Sequence, residues 1–240
     1  MENKYKVLLS IICFLFITFL LINIVGTDKK EYLISSVNNQ NNIDTSNKNT
    51  TDDIINNLNN EYNSNDVVGI IEFPSSNKKE PIVQTTNNDY YLYHTPDKKE
   101  SDRGSIFLDY RNDIDKSKKL LIYGHSSRVT EFPFNFLQNY HDYEYYQKNK
   151  YILIRTENEV KKYEIFSVYV ETKDFSYMET NFVDDEDYLS HINNLKSKSF
   201  YNTNIKLSKE DDILILQTCS THSDYKKYEN KYLLIIARRV

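Results

Sequence analysis

Tryptophan is absent from this 240-residue chain, and glycine, proline and cysteine are scarce, at four, four and two residues. So little glycine and proline excludes a collagen-like or proline-rich chain. Two cysteines cannot form the disulfide framework that staples small secreted domains. Excess positive charge is missing too: 30 Lys and Arg stand against 35 Asp and Glu, a formal −5 with the signs interspersed. Without a basic stripe, nucleic acid is not an expected partner. No Cys/His cluster has zinc-ligand spacing, so neither a metal site nor a cofactor is expected. What the chain does have is aromatic bulk, 21 Tyr and 12 Phe, in a length that suits one ordinary domain with additions.

One hydrophobic run is long. Residues 7–25 (VLLSIICFLFITFLLINIV) contain no charge. At about 1.5 Å per residue they reach across a hydrocarbon core of about 30 Å. The run exceeds the h-region of a cleavable signal peptide, and no small-x-small site follows it cleanly. The expectation is a cytoplasmic tail over residues 1–6, a single-pass signal anchor over 7–26, and everything after it outside the cell. Residues 27–65 are dominated by Asn, Ser, Thr and Asp and read as a spacer, with a short amphipathic helix around Ile54, Ile55 and Leu58. Cys13 lies inside the apolar run and cannot meet Cys219 in one disulfide. The extracellular part, residues 66–240, therefore carries a lone thiol, which points to use of its reactivity.

From residue 67 the texture changes to short runs rich in Ile, Val, Tyr and Phe between polar turns. Strands are expected at 67–73, 80–84, 104–109, 119–123, 151–155, 163–170, 213–217 and 232–237. Eight strands over this length predict a mostly β barrel or sandwich. Short helical turns are expected at 132–137 and 140–146. A longer helix over 184–200 places Tyr188, Ile192 and Leu195 on one face behind an acidic first turn.

Two strands end in chemistry. Leu120-Leu121-Ile122-Tyr123 runs out into Gly124-His125-Ser126, and Ile213-Leu214-Ile215-Leu216 runs out into Gln217-Thr218-Cys219-Ser220. Histidine exchanges protons near neutral pH, and a thiol becomes a strong nucleophile beside a proton acceptor or a cation. Taken singly, each has a plain structural explanation: a hydrogen-bonded surface His, a buried Cys closing its strand. Together, on strands that a barrel can make adjacent, they fit Cys/His nucleophilic catalysis, in which the partners are distant in sequence and close in space. His222, three residues past Cys219, is a rival base. His94, His141 and His191 have no reactive neighbour in sequence and read as surface or helix residues.

At this point the chain resembles the sortase family. Tyr123-Gly124-His125-Ser126 and Leu216-Gln217-Thr218-Cys219 resemble its histidine and cysteine signatures. Residues 69–74 (GIIEFP), 81–84 (PIVQ) and 88–92 (NDYYL) look like its opening strands. Residues 104–112 (GSIFLDYRN), 166–169 (FSVY) and the helix following 177–182 (YMETNF) are similar to class B in particular. The resemblance implies a mostly β fold, an eight-stranded sortase-type β-barrel with an N-terminal helix and a long helix inserted before the cysteine strand. It implies a membrane-anchored cysteine transpeptidase that cleaves a C-terminal sorting signal on secreted proteins through a Cys219 thioester. The product would pass to an amine of peptidoglycan or its lipid-linked precursor, with His125 as acid and base. Residue by residue it places Asn88, Leu92, Tyr177, Met178, Gln217 and Thr218 in the peptide groove. One position departs from the family: where sortases carry an Arg at the start of the last strand, this chain has Tyr232, preceded by Lys231. Arg238 shares its parity but lies about 20 Å along the strand. Two other readings stay open on the sequence: a hydrolytic cysteine peptidase, and a non-catalytic anchored binding protein on the same scaffold.

Overall fold

The computed structural model describes residues 48–240. The apolar run and the first part of the Asn-rich stretch lie outside the described residues. No helix among the described residues is long and apolar enough to cross a membrane.

Eight strands close into a barrel: β1 (Val67–Phe73), β2 (Lys78–Val83), β3 (Ile106–Leu108), β4 (Lys119–Tyr123), β5 (Tyr151–Arg155), β6 (Val160–Glu171), β7 (Ile213–Cys219) and β8 (Tyr232–Arg239). Around the barrel the order is β1-β2-β3-β4-β7-β8-β6-β5. The β2–β3 and β4–β7 pairs are parallel, and the other pairs are antiparallel. Among the described residues three α-helices lie around it: α1 (Lys48–Tyr62), α2 (Tyr143–Lys148) and α3 (Asp185–Ser197).

The uninterrupted Leu/Ile runs of β4, β7 and β8 arise because both faces of these strands are covered. Leu120, Ile122, Leu214, Leu216, Leu233 and Ile235 fill the barrel interior. Their alternates Leu121, Tyr123, Ile213, Ile215, Leu234 and Ile236 form a second core outside it, beneath Ile55 of α1 and Tyr188, Ile192 and Leu195 of α3. Asp184 caps α3 by accepting from Asp187 N at 2.8 Å, and three acids fill the first turn, where the helix dipole favours negative charge. Helix α1 is tied down at its end by Asn59, whose amide bonds both the N–H and the carbonyl of Val67.

Several boundaries differ from expectation for identifiable reasons. β3 is only three residues: Gly104 turns the chain just before it at φ +57°, and just after it Asp109 keeps one backbone bond to Leu121 O at 2.9 Å while its side chain enters a buried network. β6 runs to twelve residues, with a register shift between Ile165 and Ser167 that lets it pair with both β5 and β8. The turn expected at 132–137 forms later, as a 3-10 helix at Asn135–His141 that leads into α2.

Candidate active site

The parallel β4–β7 ladder sets the geometry. Its last paired residues are Tyr123 and Gln217, followed by a bond from Gly124 N to Gln217 O at 3.2 Å. Two residues further, His125 and Cys219 leave neighbouring strand ends, whose backbones run about 5 Å apart. Alternation places both on the outer face, with Tyr123 and Gln217, while Gly124 faces the interior. There Phe134 packs so closely that a Cβ on Gly124 would lie 2.5 Å from its ring. Any side chain at residue 124 would displace that ring and with it the exit of His125.

Cys219 and His125 open into one groove of about 560 Å³, walled by Asn88, Leu92, Tyr123, Phe175, Tyr177, Met178, Gln217 and Tyr232 among others. His125 Nε2 lies 2.7 Å from the carbonyl oxygen of Leu92. A carbonyl only accepts, so Nε2 carries the proton and Nδ1 is left free to exchange one. Gly104 makes this contact possible: a Cβ there would lie 2.5 Å from Leu92 O, 2.7 Å from Tyr91 O and 3.0 Å from the His125 ring.

Cys219 is an exposed, free cysteine, yet the groove walls thin the water around its sulfur. Burial pushes its thiol pKa up, and the charge of Lys231 pulls it partway back. Tyr232 stands opposite Cys219 in the β7–β8 ladder. Burial, and then a negative charge on Cys219, hold its phenol above its ordinary value, so it stays a hydrogen-bond donor. Tyr177 donates to Gln217 Oε1 at 2.9 Å, which fixes the amide on the groove floor. Beneath the groove the fully buried Asp109 accepts from Tyr123 (2.8 Å), Asn88 (3.0 Å) and both Nε (2.9 Å) and Nη2 (2.8 Å) of Arg111. Burial alone would raise this carboxyl; the bonds from Arg111 and Tyr123 outweigh it and hold it at about 2.

The residues singled out from sequence sort as follows. Cys219, His125, Asn88, Leu92, Tyr177, Met178, Gln217, Thr218 and Tyr232 share the groove. Thr218 is buried, and its hydroxyl finds no partner. Lys231 does not line the groove; its ammonium donates to Tyr228 O at 3.0 Å and acts on Cys219 through its charge. His222 turns away to stack on His141, with ring centroids 4.3 Å apart. His94 stacks on Tyr90, and His191 accepts from Lys119 Nζ at 3.1 Å. The sequence reading passed over Asp109, Phe175 and Gln138; for Asp109 the signal was available, as an acid two residues before Arg111 at the end of an apolar strand. Among the described residues, no group of three or more His, Cys, Asp or Glu is arranged to hold a metal ion.

Residues 71–240 match the sortase domain model. The chain is 35% identical over 163 residues to sortase B of Listeria monocytogenes, an alignment covering 68% of this chain and 66% of that protein. The X-ray structure of Clostridium perfringens sortase B superposes with a TM-score of 0.69 at 31% identity, over 77% of this chain and 98% of that one. A Staphylococcus aureus sortase B–substrate complex gives 0.68 at 27% identity, over 78% and 84%. A closed eight-stranded barrel with a helix inserted before β7, matched over most of its length by the family's own domain model, leaves one assignment: the chain belongs to the sortase family, and its similarity lies with class B.

Proposed function

We propose that the chain is a class B cysteine transpeptidase in which Cys219 is the nucleophile and His125 the acid and base. The observation that carries the reading is the emergence of these two side chains from adjacent ends of β4 and β7 into one groove. In the first half-reaction the Cys219 sulfur adds to a backbone carbonyl carbon of a sorting-signal peptide, and its proton passes to His125 Nδ1. The C–N bond then breaks, the leaving amine takes that proton, and a thioester remains on Cys219. In the second, an incoming amine adds to the thioester carbonyl and gives a proton to His125. The C–S bond breaks, and the proton returns to the sulfur. One amide is exchanged for another with no cofactor.

Negative charge grows on the carbonyl oxygen in both steps and needs a donor. Tyr232, paired with Cys219 across the ladder, supplies a phenolic O–H, and Lys231 supplies charge from outside the groove. This is a weaker clamp than the two-pronged guanidinium of an Arg. Asn88, Leu92, Tyr177, Met178, Gln217 and Thr218 form the peptide-binding walls. Staphylococcus aureus sortase B is known as a substrate complex, and a second class B structure as a complex with triglycine. These support a peptide donor and a glycine-bearing amine acceptor, the latter from cell-wall peptidoglycan or its lipid-linked precursor. Sortase membership associates the chain with the cell surface. Anchoring by residues 7–26, with the catalytic domain outside, completes the proposal and rests on the uncharged run.

The test incubates the full chain with a peptide pool randomised around a fixed Thr and with triglycine as amine, and reads products by mass spectrometry. An amide-linked triglycine adduct is expected, lost in Cys219→Ala and nearly lost in His125→Ala. Cleaved acid without adduct would favour a hydrolytic peptidase; a Cys219→Ala variant as active as wild type would reject the scheme.

A further inference from the structure

The β4–β7 ladder stops short of the residues it presents. Its last backbone bond joins Gly124 to Gln217, so beyond it the His125 segment and the β4-facing edge of Cys219 share no ladder bond. The other edge of β7 stays paired with β8, through Cys219 opposite Tyr232 and Ser220 N to Lys231 O at 2.8 Å. Phe134 N bonds His125 O at 3.1 Å and β8 holds the far edge of Cys219, but neither bond ties the two segments to each other, and the β4-facing carbonyl of Cys219 needs a donor from elsewhere.

Gln138 takes over. It belongs to the 3-10 helix Asn135–His141, which is part of neither strand of the ladder. Its Nε2 donates to the carbonyl of Cys219 at 3.0 Å and to Ser126 Oγ at 3.1 Å. Its Oε1 accepts from Thr221 N at 3.0 Å. A side-chain amide is a peptide group on a tether, with two donors and one acceptor oxygen. Here it serves as a missing length of strand, gripping the backbone on both sides of Ser220 and the hydroxyl of the residue after His125. Arg128 adds a second tie across the same gap, from its guanidinium to Thr221 O. The anchor itself is fixed from within, since Leu137 and Tyr140 on either side of Gln138 are buried in the barrel-interior core.

We propose that Gln138 is a positioning residue for transpeptidation: its amide holds the Cys219 backbone and the His125 exit in one fixed relation past the end of the ladder. It neither lines the groove nor touches the reacting atoms. The inference rests on the Cys219–His125 pairing proposed above. A rate that depends on proton sharing is lost steeply when two groups drift by an ångström, whereas peptide binding along the groove walls is not.

The test reads the coupling itself and needs no peptide. Iodoacetamide alkylation of Cys219 is followed against pH in wild type, Gln138→Met, Gln138→Glu, His125→Ala and the Gln138→Met/His125→Ala double variant. Met keeps the bulk and removes every bond; Glu keeps the acceptor for Thr221 and removes both donations. His125→Ala is expected to slow alkylation near neutral pH. Gln138→Met is expected to move the profile toward that of His125→Ala, with a loss of about tenfold near neutrality, the scale of one or two hydrogen bonds. The double variant is expected to match His125→Ala alone, because a clamp has nothing left to position. Gln138→Glu should follow Met, which keeps the question open to an answer even if Met lowers the thermal midpoint. A His125-dependent profile that both Gln138 variants leave unmoved, or fully additive losses in the double variant, overturns the clamp alone. A His125→Ala profile identical to wild type overturns the catalytic pair, and the clamp falls with it.

Discussion

At the scale of single residues, the nucleophile is poised rather than pre-ionised. A thiol whose pKa is raised by burial is protonated at neutral pH, so its activation depends on transfer to His125 during attack and on whatever positive charge is near. Among the described residues, Lys231 is the one cation that pulls the thiol back down. Its ammonium is bound to Tyr228 O and stays outside the groove, so it contributes field and no contact. Replacing it with Gln should therefore raise the alkaline midpoint of Cys219 alkylation by iodoacetamide and slow the reaction at any pH below that midpoint. Added salt should shrink the difference between variant and wild type, as screening does for partly exposed charges. A midpoint that stays put or falls in Lys231→Gln would remove Lys231 from the account and leave Tyr232 as the only local substitute for the family's Arg.

At the scale of elements, the two glycines next to the site are structural conditions for its geometry. Gly124 makes room for Phe134, and Gly104 makes room for the Leu92 carbonyl that holds His125. A methyl at residue 124 meets a ring that can shift, so Gly124→Ala should cost about 1–3 kcal/mol in urea unfolding, the usual penalty for overpacking. A methyl at residue 104 meets two backbone carbonyls and sits at positive φ, where a non-glycine residue costs a further 1–2 kcal/mol or so. Gly104→Ala should be the more destabilising of the pair, and the reverse order would contradict this packing. These contacts also mark what the sequence could tell. The apolar runs of β4, β7 and β8 announced themselves, because strands buried on both faces need unbroken Leu and Ile, and the polar ends of β4 and β7 pointed at His125 and Cys219. Gln138 was not legible as a site residue, whereas Asp109 carried a local signal in Arg111 two residues on. The amide's partner Cys219 lies 81 positions further along the chain, and a half-buried amide has no local pattern that sets it apart. The Asn135–His141 turn was misplaced by three residues because 3-10 segments lack the long periodicity that marks a helix.

At the scale of the whole molecule, the titratable groups buried on folding set the pH range in which the fold is firm. His141 sits against His222, and burial followed by that neighbour's charge lowers its pKa from 6.5 to about 4. Burial followed by the charge of Lys119 does the same to His191, also to about 4. Between 6.5 and 4 the unfolded chain binds protons at these sites that the folded chain refuses, so stability falls as pH drops through that window. Water reaching these part-buried rings screens some of the effect and leaves a loss of about 2 kcal/mol for each group. Below it, Asp109, held at about 2, adds a further loss as pH falls from its ordinary carboxylate value toward 2. On the other side, burial lowers Lys119 from 10.5 to about 7, so the unfolded chain holds the extra proton between those values and stability rises with pH there. Buried tyrosines reverse the trend once the unfolded chain's phenols ionise above about pH 10. Tyr62 and Tyr146, both raised by burial to about 12, refuse that ionisation while folded, which stabilises the unfolded state instead. Urea unfolding across a pH series should therefore place maximum stability on the alkaline side of neutrality, with a decline between pH 7 and pH 4. His141→Phe keeps the stack on His222 and removes one of the protonating groups, so its decline over that window should be shallower by about 2 kcal/mol. A wild-type stability that is flat or rising from pH 7 down to pH 4, or a His141→Phe curve parallel to it, would show that these imidazoles take up protons without opposing the fold.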